Sequence, residues 1–169
     1  MTHQIHLFAP PEEIALSDIQ VVRTTKHKRI AQLNKRWHSV LPHCPPGMRA
    51  GFIFYVNFSP IACAMWGRPT ARLEDQVTTL ELTRMAHSNN VPYNFGSWAL
   101  ARMRKWIRQN MPEIERIISY QDASVHDGTI YKADNWNMVY EKHSEHTWTN
   151  RPNRRGTERQ HKIKWEREP

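Results

Sequence analysis

The chain predicts a single α/β domain, an antiparallel meander of strands flanked by helices. Three observations predict it. β-branched and aromatic residues crowd into Arg49–Phe58, Ile61–Trp66 and Val77–Met85. Apolar residues recur at helical spacing over Lys26–Ser39 and Phe95–Asn110. The length, 169 residues with 39% hydrophobic content, suits one modest core and leaves no room for a second catalytic domain.

The elements follow in order. A first strand lies near Ile5–Phe8 or Ile19–Arg23, with Pro10-Pro11 between the two candidates. Thr24 or Thr25 offers a cap for the helix Lys26–Ser39, in which Ile30, Leu33 and Trp37 share a face. Pro42, Pro45 and Pro46 stop it. The next two strands join through Asn57-Phe58-Ser59-Pro60 as a hairpin. In the third, Val77, Thr79, Glu81 and Thr83 alternate with Leu80, Leu82 and Arg84. After a polar stretch comes the helix Phe95–Asn110, with Phe95, Ala99, Leu100, Met103, Trp106 and Ile107 on one side and Arg102, Arg104, Lys105 and Arg108 on the other. A short strand, Glu115–Tyr120, opens into a loop whose Asp127-Gly128 sets a tight turn before a short helix carrying Tyr131. From about Asn150 the charges run without apolar periodicity, which predicts a flexible basic tail, 150–169, on a domain of residues 1–149; Trp148 is a candidate for a last strand.

The formal charge of +8 is unevenly placed. No acidic residue lies between Asp18 and Glu74, while nine cations from Arg23 to Arg72 accumulate there, and Arg154 and Arg155 belong to a second concentration in the tail. Polyanions suit such a surface, because each neutralised phosphate releases condensed counterions; the plain alternative is solubilising charge. The basic side of the second long helix admits the same two readings. No apolar run approaches the roughly 20 residues that span a bilayer, and the N-terminus lacks a secretion pattern, so a cytosolic protein is expected. Cys44 and Cys63 have no paired metal spacing and read as packing groups in a reducing compartment.

The segment Ser119–Trp136 carries the chemistry. Asp122, His126 and Tyr131 follow a strand end, where sites are usually built. A carboxylate is anionic near neutrality, an imidazole changes charge there, and a phenol can donate a proton to a leaving group. The structural alternative has Asp122 capping its loop, His126 on the surface and Tyr131 packed with Trp136. Asn94, Gly96 and Ser97 open the second long helix, where free backbone N–H groups suit an anion such as a pyrophosphate. For Glu81 and Arg84 a structural ion pair is at least as good a reading as catalysis.

The pattern Ser119-Tyr120-x-Asp122, then His126-x-Gly128-x-Ile130-Tyr131-x-Ala133-x-Asn135-Trp136, resembles the signature of the phage Mom-type DNA modification proteins. Trp37-His38-Ser39 before Pro42, and Glu81-Leu82-x-Arg84, resemble that family's other landmarks in the same order. The resemblance implies a fold like the Gcn5-related acetyltransferases: a mixed, mainly antiparallel sheet with helices on both faces. It also implies transfer of a carbamoylmethyl group to the exocyclic amine of adenine in DNA, protecting phage DNA from restriction. It places His38 in the active site facing Asp122, to share a proton or to bind iron or another divalent metal, with His126 a further candidate ligand. Tyr131 becomes the acid for the leaving group and Ser97 a donor-positioning residue. Asn94, Gly96 and Ser97 become the dock for acetyl-CoA or a related acyl donor, although Gly96 stands without the other glycines of the acetyltransferase turn. DNA would meet Arg29, Lys35, Arg36, Arg102, Lys105, Arg154 and Arg155, and Trp37, Trp66, Trp98 and Trp136 are candidates to stack on an extruded base, the plain alternative being that most of the seven tryptophans are core. An N-acetyltransferase with another acceptor and a non-catalytic DNA-binding protein are the alternatives.

Overall fold

The structure is a computed structural model and describes residues 14–38, 40–144 and 160–169. After a 3-10 turn, Leu16–Asp18, the chain forms β1 (Gln20–Thr24), α1 (His27–Trp37), β2 (Met48–Val56), β3 (Ser59–Gly67), β4 (Thr79–His87), α2 (Phe95–Asn110), β5 (Arg116–Asp122), α3 (Thr129–Ala133), β6 (Asn137–Ser144) and β7 (Gln160–Arg167). One seven-stranded sheet runs in the order β1-β2-β3-β4-β5-β7-β6. Every neighbouring pair is antiparallel except β4 with β5.

The two long helices cover opposite faces, and β2 shows why. Successive side chains of a strand point to opposite sides. Phe52 and Phe54 therefore join Leu100, Met103 and Ile107 of α2, whereas Ile53 joins Ile30 and Leu33 of α1 over Cys63, Met65 and Ala86. Burial pushes the Cys63 thiol up to about 12, as befits a packing group. The expected hairpin turns on Asn57 and Phe58, both at positive φ (47° and 64°), the two-residue geometry that matches strand twist. Thr24 does not cap α1 itself; its Oγ1 accepts the Lys26 N–H at 3.1 Å, one residue outside the helix.

Two expectations need correction. The first concerns the tail: its last part is β7, inserted between β5 and β6, so the boundary at 149 does not separate an appendage there. Ile163 and Trp165 alternate toward the core while Lys164, also buried, turns its ammonium to Glu74. Arg116 of β5 binds Glu74 at 2.9 Å and Glu166 at 3.4 Å, fastening β7 from its other face. Charges alternating with apolar groups hid a strand whose central cation, Lys164, is paired inside the fold. Trp148, Arg154 and Arg155 lie outside the described residues, as does the candidate strand Ile5–Phe8.

The second correction concerns Arg104, which does not belong to a free basic side of α2. Its guanidinium grips the Asp134 carboxylate by two 2.8 Å bonds, and Asp134 also accepts the Trp136 indole N–H at 2.8 Å. The expected DNA contacts are divided between the two faces of the sheet. Arg29, Lys35 and Arg36 ride on α1, on one face of the sheet, and Arg102 and Lys105 on α2, on the other.

Candidate active site

β4 and β5 pair only from Thr79 with Arg116 to Leu82 with Ser119. Beyond that point β4 runs on to His87 and β5 to Asp122 without pairing, so the sheet parts. A cleft of about 510 Å3 fills the gap, walled by both strand ends, the loop after α1, the start of α2, and α3.

A bulge sets the chemistry of the β4 wall. Leu82 and Arg84 oppose the consecutive residues Trp66 and Met65, so Thr83 is an extra residue in β4. Strict alternation would place Glu81 and Arg84 on opposite faces, but the inserted residue returns both to the cleft. Glu81 is buried, which raises its carboxyl above the usual range, although the Thr70 N–H and hydroxyl donate to it at 2.6 and 3.0 Å and oppose the rise. Arg84 is pinned by its own donors, to the His43 carbonyl at 2.8 Å and the Thr83 carbonyl at 2.5 Å.

His38 lies at the cleft margin just after α1. Its Nδ1 accepts the backbone N–H groups of Val40 (3.3 Å) and Leu41 (3.1 Å). That lone pair is used, so the neutral ring carries its proton on Nε2. Partial burial, then Arg84, then His126 hold its pKa below the ordinary 6.5. Neutral His38 is therefore a hydrogen-bond donor toward the cleft and has no free nitrogen lone pair for a metal. Among the described residues no group of three or more His, Cys, Asp or Glu side chains could hold a metal ion. The backbone contacts at Nδ1 do not favour a His38–Asp122 metal pair.

Asp122, His126 and Tyr131 all border the cleft. Asp122 uses Oδ1 to accept the Ser124 N–H (3.0 Å) and hydroxyl (2.5 Å), a tight turn in which no described residue donates to Oδ2. The Tyr131 ring is buried, stacked on Trp165 with centroids 5.3 Å apart and edge-on to Trp136 at 5.5 Å. Its hydroxyl meets Ser119 Oγ at 2.8 Å, and burial raises its pKa, so the phenol keeps its proton. Gly128, at φ +75°, turns α3 over the cleft; a Cβ there would lie 2.5 Å from Gln121 Oε1 and 2.8 Å from the Trp165 ring. Sequence reasoning quoted Ser119 in the motif without a role and passed over Thr70, and the divergence of the two strands is what gives them their place.

The start of α2 departs from expectation. Gly96 borders the cleft, but Asn94 and Ser97 do not. The Ser97 hydroxyl donates to the Asn94 carbonyl at 3.2 Å, serving its own turn, so the catalytic role expected of it is not supported by its position. A Cβ on Gly96 would lie 2.4 Å from Ile130 Cγ2, which makes this glycine a contact between α2 and α3. The tryptophans expected to stack on a base do not line the cleft either: Trp66 and Trp136 are core residues, and Trp98 borders a groove on the α2 face.

Solved structures share the fold. An N-acetyltransferase from Staphylococcus aureus is similar with a TM-score of 0.64 at 12% identity, covering 90% of this chain and 99% of its own. A Salmonella typhimurium protein solved with its cofactor acetyl-CoA gives 0.61 at 11% identity over 89% and 94%. The Bacillus subtilis acetyltransferase in complex with CoA gives 0.61 at 8% identity over 89% and 99%. No curated protein sequence matches the chain. Residues 52–168, most of the chain and all of the cleft except the loop after α1, match the Mom protein family, and the chain belongs to that family on an acetyltransferase fold.

Proposed function

We propose that the protein transfers an acyl group from a thioester to the exocyclic amine of adenine in DNA, the new N–C bond forming as the C–S bond breaks and the thiol leaves. The observation that carries this reading is the cleft at the parting of β4 and β5, where Tyr131, Asp122, His38 and Arg84 converge within a Mom-family chain.

The cleft fits the slender arm of an acyl thioester, because β4 beyond Leu82 offers a strand edge that β5 does not use. The α2 start, with Gly96 at the cleft and no glycine-rich turn, would hold the phosphate end through backbone N–H groups. Such a donor supplies an activated acyl carbon. Tyr131, protonated and beside Ser119, is placed to give its proton to the departing sulfur. Asp122 Oδ2 would take the proton that the adenine amine loses. Nε2–H of His38 and the fixed guanidinium of Arg84 supply donors for negative charge developing on the reacting oxygen. Lys35 and Arg36, exposed at the end of α1 just before His38, would meet the DNA backbone at the cleft margin.

Mass spectrometry of nucleosides from DNA of cells expressing the wild type and Asp122→Ala is the direct test. A modified deoxyadenosine in the first and not the second is expected. Unaltered deoxyadenosine in the wild type would end this reading and favour an N-acetyltransferase with another acceptor, for which the shared fold is the supporting observation.

A further inference from the structure

A second concavity, about 470 Å3, lies on the α2 face beside β1, away from the strand parting. Its side chains combine three cations, Arg23, Arg102 and Lys105, with two indoles, Trp98 and Trp106, and include no carboxylate. Arg102 and Lys105 are three residues apart on one helix and point the same way. Arg23 approaches them from the neighbouring sheet edge.

Each arginine lies against a tryptophan. The Arg23 guanidinium carbon is 5.4 Å from the Trp106 ring centroid, and that of Arg102 is 5.3 Å from Trp98. Neither guanidinium has a hydrogen bond or ion pair with a described residue, and neither has the Lys105 ammonium. A guanidinium held against an aromatic ring keeps its N–H donors available around its rim, and loses less freedom when those donors take up an anion. Three unpaired cations in one concavity, two of them so held, make a ready receptor for phosphate oxygens. Elsewhere the chain neutralises its half-buried cations: Arg104 has Asp134, Arg116 has Glu74, and Lys164 has Glu74.

We propose that this groove binds the phosphodiester backbone of DNA, at a contact separate from the cleft margin. The choice of DNA rests on the reading of adenine in DNA as acceptor; the demand for phosphate rests on the groove alone. A second backbone contact would hold the protein on its polymer between encounters with adenines and would contribute no base specificity.

The test is fluorescence anisotropy with a labelled duplex over a series of salt concentrations, comparing wild type, Arg102→Gln/Lys105→Gln and Arg23→Gln. The control Lys142→Gln removes the same single charge as Arg23→Gln from exposed β6, at the opposite edge of the sheet. Each lost phosphate contact should lower the slope of log affinity against log salt by about one. The groove double variant should therefore lose about two from the slope and bind about tenfold or more weakly near 0.1 M salt, with the control close to wild type. Equal losses in Arg23→Gln and the control would reduce the effect to net charge and overturn the proposal. Pyrophosphate binding that needs the groove cations, with duplex affinity unchanged, would overturn it in favour of a small-anion site. Groove-dependent duplex binding by a wild type that leaves deoxyadenosine unmodified would uphold the groove and sink the proposed reaction.

Discussion

The hydroxyls of Tyr131 and Ser119 share a 2.8 Å hydrogen bond at the point where β4 and β5 stop pairing. The short helix α3 thereby places a phenol at the apex of the cleft, with its ring clasped by Trp165 and Trp136. Replacing Tyr131 by Phe keeps the clasp and removes the proton. Transfer should fall about 10²–10⁴-fold, while the fold loses only about 1 kcal/mol. Nucleoside quantification and thermal unfolding would read the two effects, and an unchanged transfer rate would remove Tyr131 from the chemistry.

His38 should titrate below 6.5, its ordinary value. Burial dominates that shift and Arg84 adds to it, so Arg84→Gln should raise the midpoint without restoring it fully. The unfolded chain takes up this proton first as pH falls. The His38 contribution to stability is thus fully present above 6.5 and declines as pH drops from there to the folded midpoint. An NMR titration of the imidazole in both proteins would check the order.

The Arg104–Asp134 pair ties α2 to the segment after α3, and both side chains are nearly buried, at 11% and 6% exposure. Arg104→Ala leaves an enclosed carboxylate with only the Trp136 indole and a distant Arg167 at 3.9 Å. A loss of about 3–5 kcal/mol is expected in urea unfolding. A loss near that of an exposed pair, under about 1 kcal/mol, would contradict the enclosed geometry.

Ending the chain before Gln160 should abolish folding rather than trim a tail. It removes Trp165 from the ring cluster around Tyr131 and strips β5 and β6 of the strand that joins them. Circular dichroism of the shortened protein should lack a cooperative thermal transition.

Much of this was legible in the residues. The amphipathic run of α2 begins and ends where the pattern places it, and the hairpin turn at Asn57-Phe58 follows from its neighbours. Asp122, His126 and Tyr131 do meet at one cleft. What escaped has physical causes. The extra residue at Thr83 breaks period-two alternation, so Glu81 and Arg84 share a side that simple counting denies them. β7 escaped because Lys164 reads as a solvated charge until its partner Glu74, distant along the chain, is known. Ser97 looked like a donor-binding hydroxyl because nothing local reveals that the Asn94 carbonyl claims it.

The insertion of β7 between β5 and β6 sets synthesis and assembly at odds. The ribosome makes β6 before β7, yet β6 has no place to dock until its later-made neighbour has settled against β5. The sheet from β1 to β5 can form as the chain emerges, whereas β6 can join it only through β7. The ring cluster beneath Tyr131 closes only when β7 arrives, so the protein should acquire a finished reaction chamber as its final folding event.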